Sequence, residues 1–198
     1  IGALVVGDSV RFSLRQQALN RLGDIHLAVV QHDRYFRAAL ADEIQLGENV
    51  QIAPILRLQA SAFFKGDHNA TGRAPNVRLM GVDDRFWKIA MRNKDLPKLK
   101  KIGEGSSSIV IDALVNQQTK DRLKIQAGDQ FEVRIAKPSL LPRDVPLAVE
   151  GKADEMVVTL KLRLVGLLEA DSLGDFSLHP DPMPPMNIFI PLQPLQEL

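Results

Sequence analysis

Residues 156–168 read Met-Val-Val-Thr-Leu-Lys-Leu-Arg-Leu-Val-Gly-Leu-Leu, and this stretch carries the clearest strand pattern in the chain. Within it, three leucines alternate with three polar residues: Thr159, Leu160, Lys161, Leu162, Arg163 and Leu164. Such alternation places apolar side chains on one face of a strand and polar side chains on the other. An unbroken strand of this length would approach about 40 Å. The pattern therefore predicts a long strand in a sheet with one buried face.

Shorter strand patterns lie on both sides of this stretch. Apolar runs or alternation predict strands at 25–30, 50–64, 76–82, 109–111, 131–135 and 188–190. Turn-forming residues separate several of them and predict loops at 65–76, 92–106, 127–129 and 171–187. Pro54 removes a backbone donor, so the strand at 50–64 is expected at a sheet edge or with a kink.

Helices are expected between some of these strands. Residues 9–22 carry an apolar stripe with a cap at each end: Asp8, Ser9, Val10, Leu14, Ala18, Leu22 and Gly23. Shorter helices are predicted after Asp33, after Asp83-Asp84, from Asp112 to about Leu123, and from Leu195. Because strands outnumber helices, we predict an α+β fold with a mixed sheet. We also predict two lobes, with residues 65–146 inserted into a lobe formed by 1–64 and 147–198.

Composition narrows the functional classes. The 198 residues are 45% hydrophobic and 25% charged, which is typical of a folded soluble domain rather than a disordered chain. The net charge of +1 does not suggest a dedicated nucleic-acid binder, so no nucleic-acid partner is expected. There is no cysteine, which excludes disulfides, thiolate metal sites and thiol nucleophiles.

The opening run Ile1-Gly2-Ala3-Leu4-Val5-Val6 has two interpretations. A membrane-spanning helix needs about 20 apolar residues, so this run cannot span a bilayer on its own. It is either the tail of a spanning helix or a short strand, and composition alone favours the strand.

A search for catalytic or metal-binding patterns yields weak candidates. No Walker motif is present, and the glycine-rich residues 103–106 lack its lysine. The four histidines (His26, His32, His68 and His179) have no metal-ligand spacing. Ser177 with His179 is the nucleophile–base pair to consider, and Asp83-Asp84 is explained more simply by helix capping. We therefore predict no catalytic residue, no metal ligand and no cofactor-binding residue.

Two aromatic pairs and one basic run are candidates for contacts. Phe63-Phe64 ends a predicted strand beside a polar loop, and Phe86-Trp87 poses the same question. Core packing is the default for both pairs, and an exposed pair would indicate a contact site. Between Arg85 and Lys101 there are seven basic residues and one acid, a pattern typical of a solvated loop and compatible with an anionic partner.

Several stretches, in order, resemble one family. Residues 2–11, leading to Arg21-Leu22-Gly23, resemble the exit of the first membrane helix in FtsX-like ABC transporter permeases. Residues 78–87 (Arg-Leu-Met-Gly-Val-Asp-Asp-Arg-Phe-Trp) resemble a strand–turn segment of the MacB-like periplasmic core domain. Residues 109–114 with 123–129, and 174–178 with 185–192 and Leu195-Gln196, are similar to its later segments.

This resemblance implies a location and a role. All 198 residues would form an extracytoplasmic region at the periplasmic face of the bacterial inner membrane, tethered by membrane helices in a dimeric permease. Residues 1–6 would be the tail of the first membrane helix, and 1–64 with 147–198 the membrane-proximal lobe. ATP would bind a separate cytoplasmic subunit. The partners would be the rest of the permease, that ATP-binding subunit, and a periplasmic substrate or partner protein.

Three functional hypotheses follow. The first is a non-catalytic permease domain in which the helix at 9–22 is a lever. The contact residues then expected are Val10, Leu14, Phe63 and Phe64. The second is a stand-alone periplasmic module for lipid, peptide or carbohydrate, which predicts an apolar pocket of roughly 300 Å³ or more. The third is a hydrolase, which predicts a nucleophile–base pair within about 3 Å in a cleft.

Overall fold

The computed structural model describes residues 2–31, 35–44, 47, 50–66, 71–91, 99, 101–102, 109–136, 157–179, 181 and 183–197. The strands are β1 (Ile55–Lys65), β2 (Thr71–Val82), β3 (Lys101–Ile102), β4 (Val110–Val115), β5 (Gln130–Ala136), β6 (Val157–Leu167) and β7 (Asn187–Pro191). The helices are α1 (Gly2–Leu22), α2 (Leu40–Glu43), α3 (Asp84–Met91), α4 (Gln117–Leu123) and α5 (Leu192–Gln196), and Ala170–Ser172 forms a 3-10 turn.

Six strands close into a mixed barrel. They follow the order β4-β6-β5-β1-β2-β7, and β7 pairs again with β4 to complete the ring. The β2–β7 and β4–β6 pairs are parallel, and the other pairs in the ring are antiparallel. β3 lies outside the ring and pairs with β4. Closure leaves the ring strands without the exposed edges that promote aggregation.

An aliphatic core fills the inside of the barrel. On β1, the buried residues Leu58, Ala60 and Ala62 alternate with the exposed Arg57 and Gln59. Each of the other five ring strands contributes to this core, as do α4, the residues after it, and α5. The remaining members are Ala74, Val77, Leu79, Ile111, Ala113, Val115, Leu123, Ile125, Phe131, Val133, Ile135, Leu162, Leu164, Ile188, Ile190 and Leu195. The barrel therefore buries its apolar face against itself.

A second, aromatic core lies on the outer side of β2, β4 and β7. Phe86 and Trp87 of α3 pack against Phe189 of β7, with ring centroids 5.9 Å apart in each case. Phe176 packs edge-on against Phe86. Residues of β7 alternate between the two cores, since Ile188 and Ile190 point inward while Phe189 points outward. This alternation joins α3 and the 168–178 segment to the barrel.

The prediction of an α+β fold in two lobes is wrong. The chain forms a closed six-stranded mixed barrel with few helices. β1 comes from the segment 1–64 and pairs on both sides with strands of the segment 65–146, namely β2 and β5. β6 comes from the segment 147–198 and also pairs with strands of the middle segment, β4 and β5. Among the described residues, the helices other than α1 have at most 8 residues, which is too few to cover one face of a sheet. The sheet instead closes into a barrel and buries its apolar face inside.

Six of the predicted strands are confirmed, but one predicted strand and most of one predicted helix are not. Strands are confirmed within 50–64, 76–82, 109–111, 131–135, 156–168 and 188–190, with shifted ends. The predicted buried strand at 25–30 is wrong, because this run is not a strand and Leu27 is 72% exposed. The helix expected after Asp33 is only the four residues of α2, and Phe36 is exposed. The ring closes without either segment: of the run 25–30 only Ile25 packs against the second core, and α2 contacts α3 through the Asp42–Arg85 ion pair.

The loop predicted at 65–76 ends earlier than expected. Residues 67–70 lie outside the described residues, and β2 begins at Thr71. Pro75 and Asn76 belong to β2 and lie where its register with β1 shifts, opposite the step from Ala60 to Ala62. Asn76 has a positive φ of 59°. These features are those of a β-bulge, which tolerates the proline that a regular strand excludes.

Asp112 does not cap a helix as predicted. It lies in β4, and its buried carboxylate accepts hydrogen bonds from Arg163 of β6 at 3.0 and 2.7 Å. The helix α4 begins at Gln117, and its cap is Asn116, whose side chain accepts a hydrogen bond from the Thr119 N–H. Both are short polar residues that commonly precede helices, but the apolar residues between them extend β4.

Candidate functional site

Most of α1 is not covered by the barrel. The helix is continuous over 21 residues from Gly2, which confirms the predicted helix at 9–22 and shows that residues 2–6 are not a strand. On the predicted stripe, Val10 is 53% and Leu14 45% exposed, whereas Leu22 packs against the aromatic core. Within the described part of the chain, no helix combines the length and apolar character needed to cross a membrane.

The last turn of α1 is where the helix meets the barrel. Arg21 is only 8% exposed and donates a hydrogen bond to the backbone carbonyl of Asp181. Leu22 and Ile25 pack against the aromatic core. Gly23 ends the helix with a φ of +55°, and a Cβ there would lie 2.8 Å from Cδ2 of Leu173. The positive φ favours glycine at this position, and the contact places the end of α1 against Leu173, which follows the 3-10 turn.

Polar contacts connect this turn to β2. Arg78 of β2 donates to Asp181 Oδ2 and to Ser177 Oγ, each at 2.7 Å. The hydrogen bond from Arg78 holds the pKa of Asp181 below its usual value of 3.8, and the nearby His179 and Arg21 lower that pKa further. We call Arg21, Arg78, Ser177, His179 and Asp181 the junction. It links α1 to β2 through the segment 177–181.

The Ser177–His179 pair is brought together, but not in the arrangement expected of a nucleophile and its base. The Ser177 hydroxyl donates to the backbone carbonyl of His179 at 3.0 Å and accepts from the His179 N–H at 3.2 Å. It also accepts from Arg78. These bonds involve the backbone of His179 rather than its imidazole, so they hold the turn at 177–179 in place.

A cleft opens beside the junction. Its lining residues are Arg57 and Gln59 of β1, Arg78 of β2, and His179. Its volume is about 280 Å³. Gln59 lies directly opposite Arg78 in the register of the two strands, and Arg57 is two residues away on the same face. The cleft is therefore formed by the outer face of the β1–β2 pair and one edge of the junction.

Of the predicted contact residues, Phe63 and Phe64 lie on β1, whereas Val10 and Leu14 lie on α1. Both phenylalanines are half-buried. Phe64 packs against the barrel core. Two guanidinium groups lie over the Phe63 ring, with Arg134 at 4.9 Å and Arg73 at 5.4 Å from its centroid. Such contacts contribute about 0.5–1 kcal/mol at exposed sites.

The predicted candidates Phe86, Trp87 and Asp83 contribute to core packing and to helix capping. Phe86 and Trp87 are buried in the aromatic core, as the core interpretation predicted. Asp83 caps α3 by accepting from the N–H groups of Arg85 and Phe86. The Arg85 side chain also bridges Asp83 and Asp42, at 2.7 and 2.5 Å, and its hydrogen bond to the Asp83 carboxylate raises the pKa of Arg85. This bridge holds α2 close to α3.

Several candidates lie outside the described residues. These are His32, His68, the glycine-rich stretch 103–106 and most of the basic run between Arg85 and Lys101. His26 is described and exposed. Within the described ranges, no group of three or more histidine, aspartate or glutamate residues is placed to hold a metal ion.

Sequence reasoning missed the junction arginines and Asn116. Arg21 lies between Asn20 and Leu22 near the end of a predicted helix, where an arginine is ordinary, and Arg78 lies within a predicted strand. The best available signal was Pro180-Asp181-Pro182, because prolines on both sides restrict the backbone around one carboxylate. Its arginine partners are 103 and 160 residues away in sequence, so periodicity could not identify them.

Comparison with known proteins assigns no family. No protein-family model matches the chain. A search of curated proteins also finds no match. The resemblance to FtsX-like permeases therefore rests on the sequence motifs at 2–11, 78–87, 109–129 and 174–196.

Proposed function

We propose that this chain is the extracytoplasmic domain of an ABC transporter permease, and that α1 carries ATP-driven movement from the membrane to the barrel. The observation that carries the proposal is the asymmetry of α1. One end is held at the junction, and most of the helix from Val6 to Asn20 is exposed. In this role the domain moves a substrate or engages a partner protein, without catalysis.

The length of α1 suits a lever. A helix of 21 residues spans about 30 Å at a rise of 1.5 Å per residue. Its internal hydrogen bonds make it stiff along its axis, whereas a loop of the same length would absorb movement. Because Arg21 bonds the Asp181 carbonyl and Leu22 packs against the aromatic core, a displacement of the other end of α1 would act on the barrel through these contacts.

The exposed apolar residues of α1 support a helix that has neighbours in the complete permease. Val6, Val10, Phe12, Leu14 and Leu19 are all exposed, and they do not lie on a single face. α1 also carries polar residues such as Arg11, Arg15 and Gln16, and its exposed apolar side chains would be covered if other helices or lipid surrounded it. The rest of a dimeric permease would provide that surrounding.

The alternative, a stand-alone ligand-binding module, predicts a concave apolar pocket. The cleft beside the junction is lined by Arg57, Gln59, Arg78 and His179. A second, more open groove of about 520 Å³ is lined mainly by the polar residues Lys120, Asp121, Lys124 and Gln126. Neither has the apolar lining that binds a lipid tail or an aromatic ligand. The surroundings of these clefts therefore favour the permease proposal over a lipid-binding module.

Thiol labelling in cells tests the proposal. Arg122 lies on the exposed side of α4, and this chain has no cysteine of its own. We expect Arg122→Cys, introduced into the natural polypeptide, to react with a membrane-impermeant maleimide added outside the cell. The labelled protein should sediment with the membrane fraction. Labelled protein released in soluble form from the periplasm would favour the stand-alone module, and labelling only after lysis would overturn both.

A further inference from the structure

The cleft beside the junction has an excess of positively charged and hydrogen-bond-donating groups. Arg57 and Arg78 are both part of its lining, and Gln59 adds an amide between them. Asp181 is the acidic group that bonds Arg78, and it also faces Arg21 and His179. Among the described residues, Asp181 is thus the carboxylate that bonds Arg78, and it makes no bond to Arg57 of the same cleft.

The two arginines differ in how far they are engaged. Arg78 donates to Ser177 and Asp181, and a guanidinium has more N–H donors than these two bonds use. Arg57 makes no hydrogen bond or ion pair with any of the described residues, and neither does the Gln59 side chain. An arginine held in a cleft without a carboxylate partner is ready to bind an anion, because its planar fork matches two oxygens at once.

The strand geometry fixes the spacing of these donors. Arg57 and Gln59 are separated by one residue of β1, so both point to the outer face of the barrel. Arg78 pairs across from Gln59, and His179 closes the cleft from the segment 177–181. Rigid strands thus carry three of the four lining residues. A volume of about 280 Å³ is small for a drug-sized ligand and suits a small anion.

We infer that this cleft binds the oxyanion group of a small ligand, a phosphate or a carboxylate, through Arg57, Gln59 and Arg78. The inference goes beyond the proposed function and does not depend on it. Because Arg78 also bonds Asp181, a bound anion would lie next to the residues that hold α1. The ligand can come from a soluble metabolite or from a lipid headgroup, since both carry the same charged group.

Titration of the isotope-labelled 198-residue chain, followed by NMR, tests the inference. The probes are inorganic phosphate, glycerol 3-phosphate as the soluble form of a lipid headgroup, and acetate, each at constant ionic strength. We expect saturable shifts at the amides of Arg57, Gln59, Arg78 and His179 with at least one probe. Tighter binding of glycerol 3-phosphate would identify a headgroup, and tighter binding of phosphate or acetate a free anion.

Two matched variants separate a site from a general basic surface. Arg57→Gln removes a charge from the cleft, and we expect the affinity to fall about tenfold, the value of one charge-assisted hydrogen bond. Arg134→Gln removes the same charge from the outer face of β5, opposite Ser61, and should leave the affinity within about twofold. Both positions are exposed, so both variants should fold. Absence of saturation with every probe, or an equal loss in the two variants, overturns the inference.

Discussion

The barrel and α1 use apolar residues in opposite ways. In the barrel, apolar positions alternate with polar ones, and the apolar side chains are buried in one of two cores. In α1, the apolar residues are spread around the helix and most are exposed. Phe189 of β7 is fully buried, whereas Phe12 of α1 is 71% exposed. The same residue type thus stabilises one region and contributes little to the stability of the other.

This difference shows where each region finds its partners. In the barrel, closure of the ring pairs the backbone groups of neighbouring strands, and the inward apolar side chains bury one another. In α1 the backbone hydrogen bonds are formed within the helix, but several apolar side chains remain exposed. The only well-packed part of α1 within the described residues is its last turn, where Arg21 and Leu22 meet the barrel. The junction therefore controls how α1 and the barrel move together.

The sharpest way to break the comparison is to truncate one phenylalanine in each region. Phe189→Ala removes a ring that packs against Phe86 and Trp87, and we expect it to lower the free energy of unfolding by about 3–5 kcal/mol. Phe12→Ala should change that free energy by less than about 0.5 kcal/mol. Urea unfolding measures both values. Equal losses in the two variants would mean that α1 is packed as the barrel is.

The buried polar network around Asn116, between β4 and α4, should give the next largest effect. The Asn116 side chain donates to Asp175 and to the Pro185 carbonyl, and it accepts from the N–H groups of Thr119 and Asn187. Asn116→Ala leaves these buried groups with fewer partners, and we expect a loss of about 2–3 kcal/mol in urea unfolding.

The neighbouring Gln117 provides the control for this prediction. Its exposed side chain bonds only Asp121 among the described residues. Gln117→Ala should therefore cost less than about 0.5 kcal/mol. If Asn116→Ala proves equally mild, the network does not contribute to holding α4 against the segment 175–187.

A substitution in the junction should have a smaller effect on the free energy of unfolding and a larger effect on hydrogen exchange in α1. Arg21→Ala removes the bond to the Asp181 carbonyl and should lower the global free energy of unfolding by only about 1 kcal/mol. Hydrogen exchange in the last turn of α1 should become markedly faster, because the anchor is lost. Arg15→Ala, an exposed position on the same helix, should leave that exchange unchanged. Equal exchange in the two variants would show that Arg21 does not anchor α1.

The smallest effect concerns pH. The hydrogen bond from Arg78 depresses the pKa of Asp181 below 3.8 in the folded chain, so the folded state binds this proton more weakly than the unfolded state. The contribution of Asp181 is therefore complete above its ordinary pKa and is lost as the pH falls through the folded value. An NMR titration should show this carboxyl titrating below 3.8, and Arg78→Gln should raise its pKa towards 3.8. Titration above 3.8 in the unmodified chain would contradict the junction geometry.

The strands were predictable, but their assembly was not. Alternation identified β5 and β6 because each has one face inside the barrel, as Phe131 and Leu162 show. Alternation does not state which strand lies next to which, or whether a sheet closes. The parallel pairing of β2 with β7 joins residues more than 100 positions apart, and no local pattern reports it. The two-lobe prediction failed at this step.

The candidate site was harder to predict than the fold. Its residues are polar side chains on the outer face of strands and on one proline-flanked segment, and each is ordinary in its local sequence. Arg57, Arg78 and His179 form a cleft only because β1 and β2 pair and the segment 177–181 crosses beside them. The strand prediction at 25–30 was wrong for a different reason. The run has a strong local apolar pattern, but it does not form a strand and Leu27 is exposed.

The most direct test of the central claim, that α1 is rigidly mounted on the barrel, is a distance measurement between the two. Since this chain has no cysteine, spin labels placed at Arg15→Cys on α1 and Thr159→Cys on β6 report a single pair of positions. Pulsed electron spin resonance should give one narrow distance distribution, which broadens when Arg21→Ala is added. A broad distribution in the chain with Arg21 intact would contradict the claim.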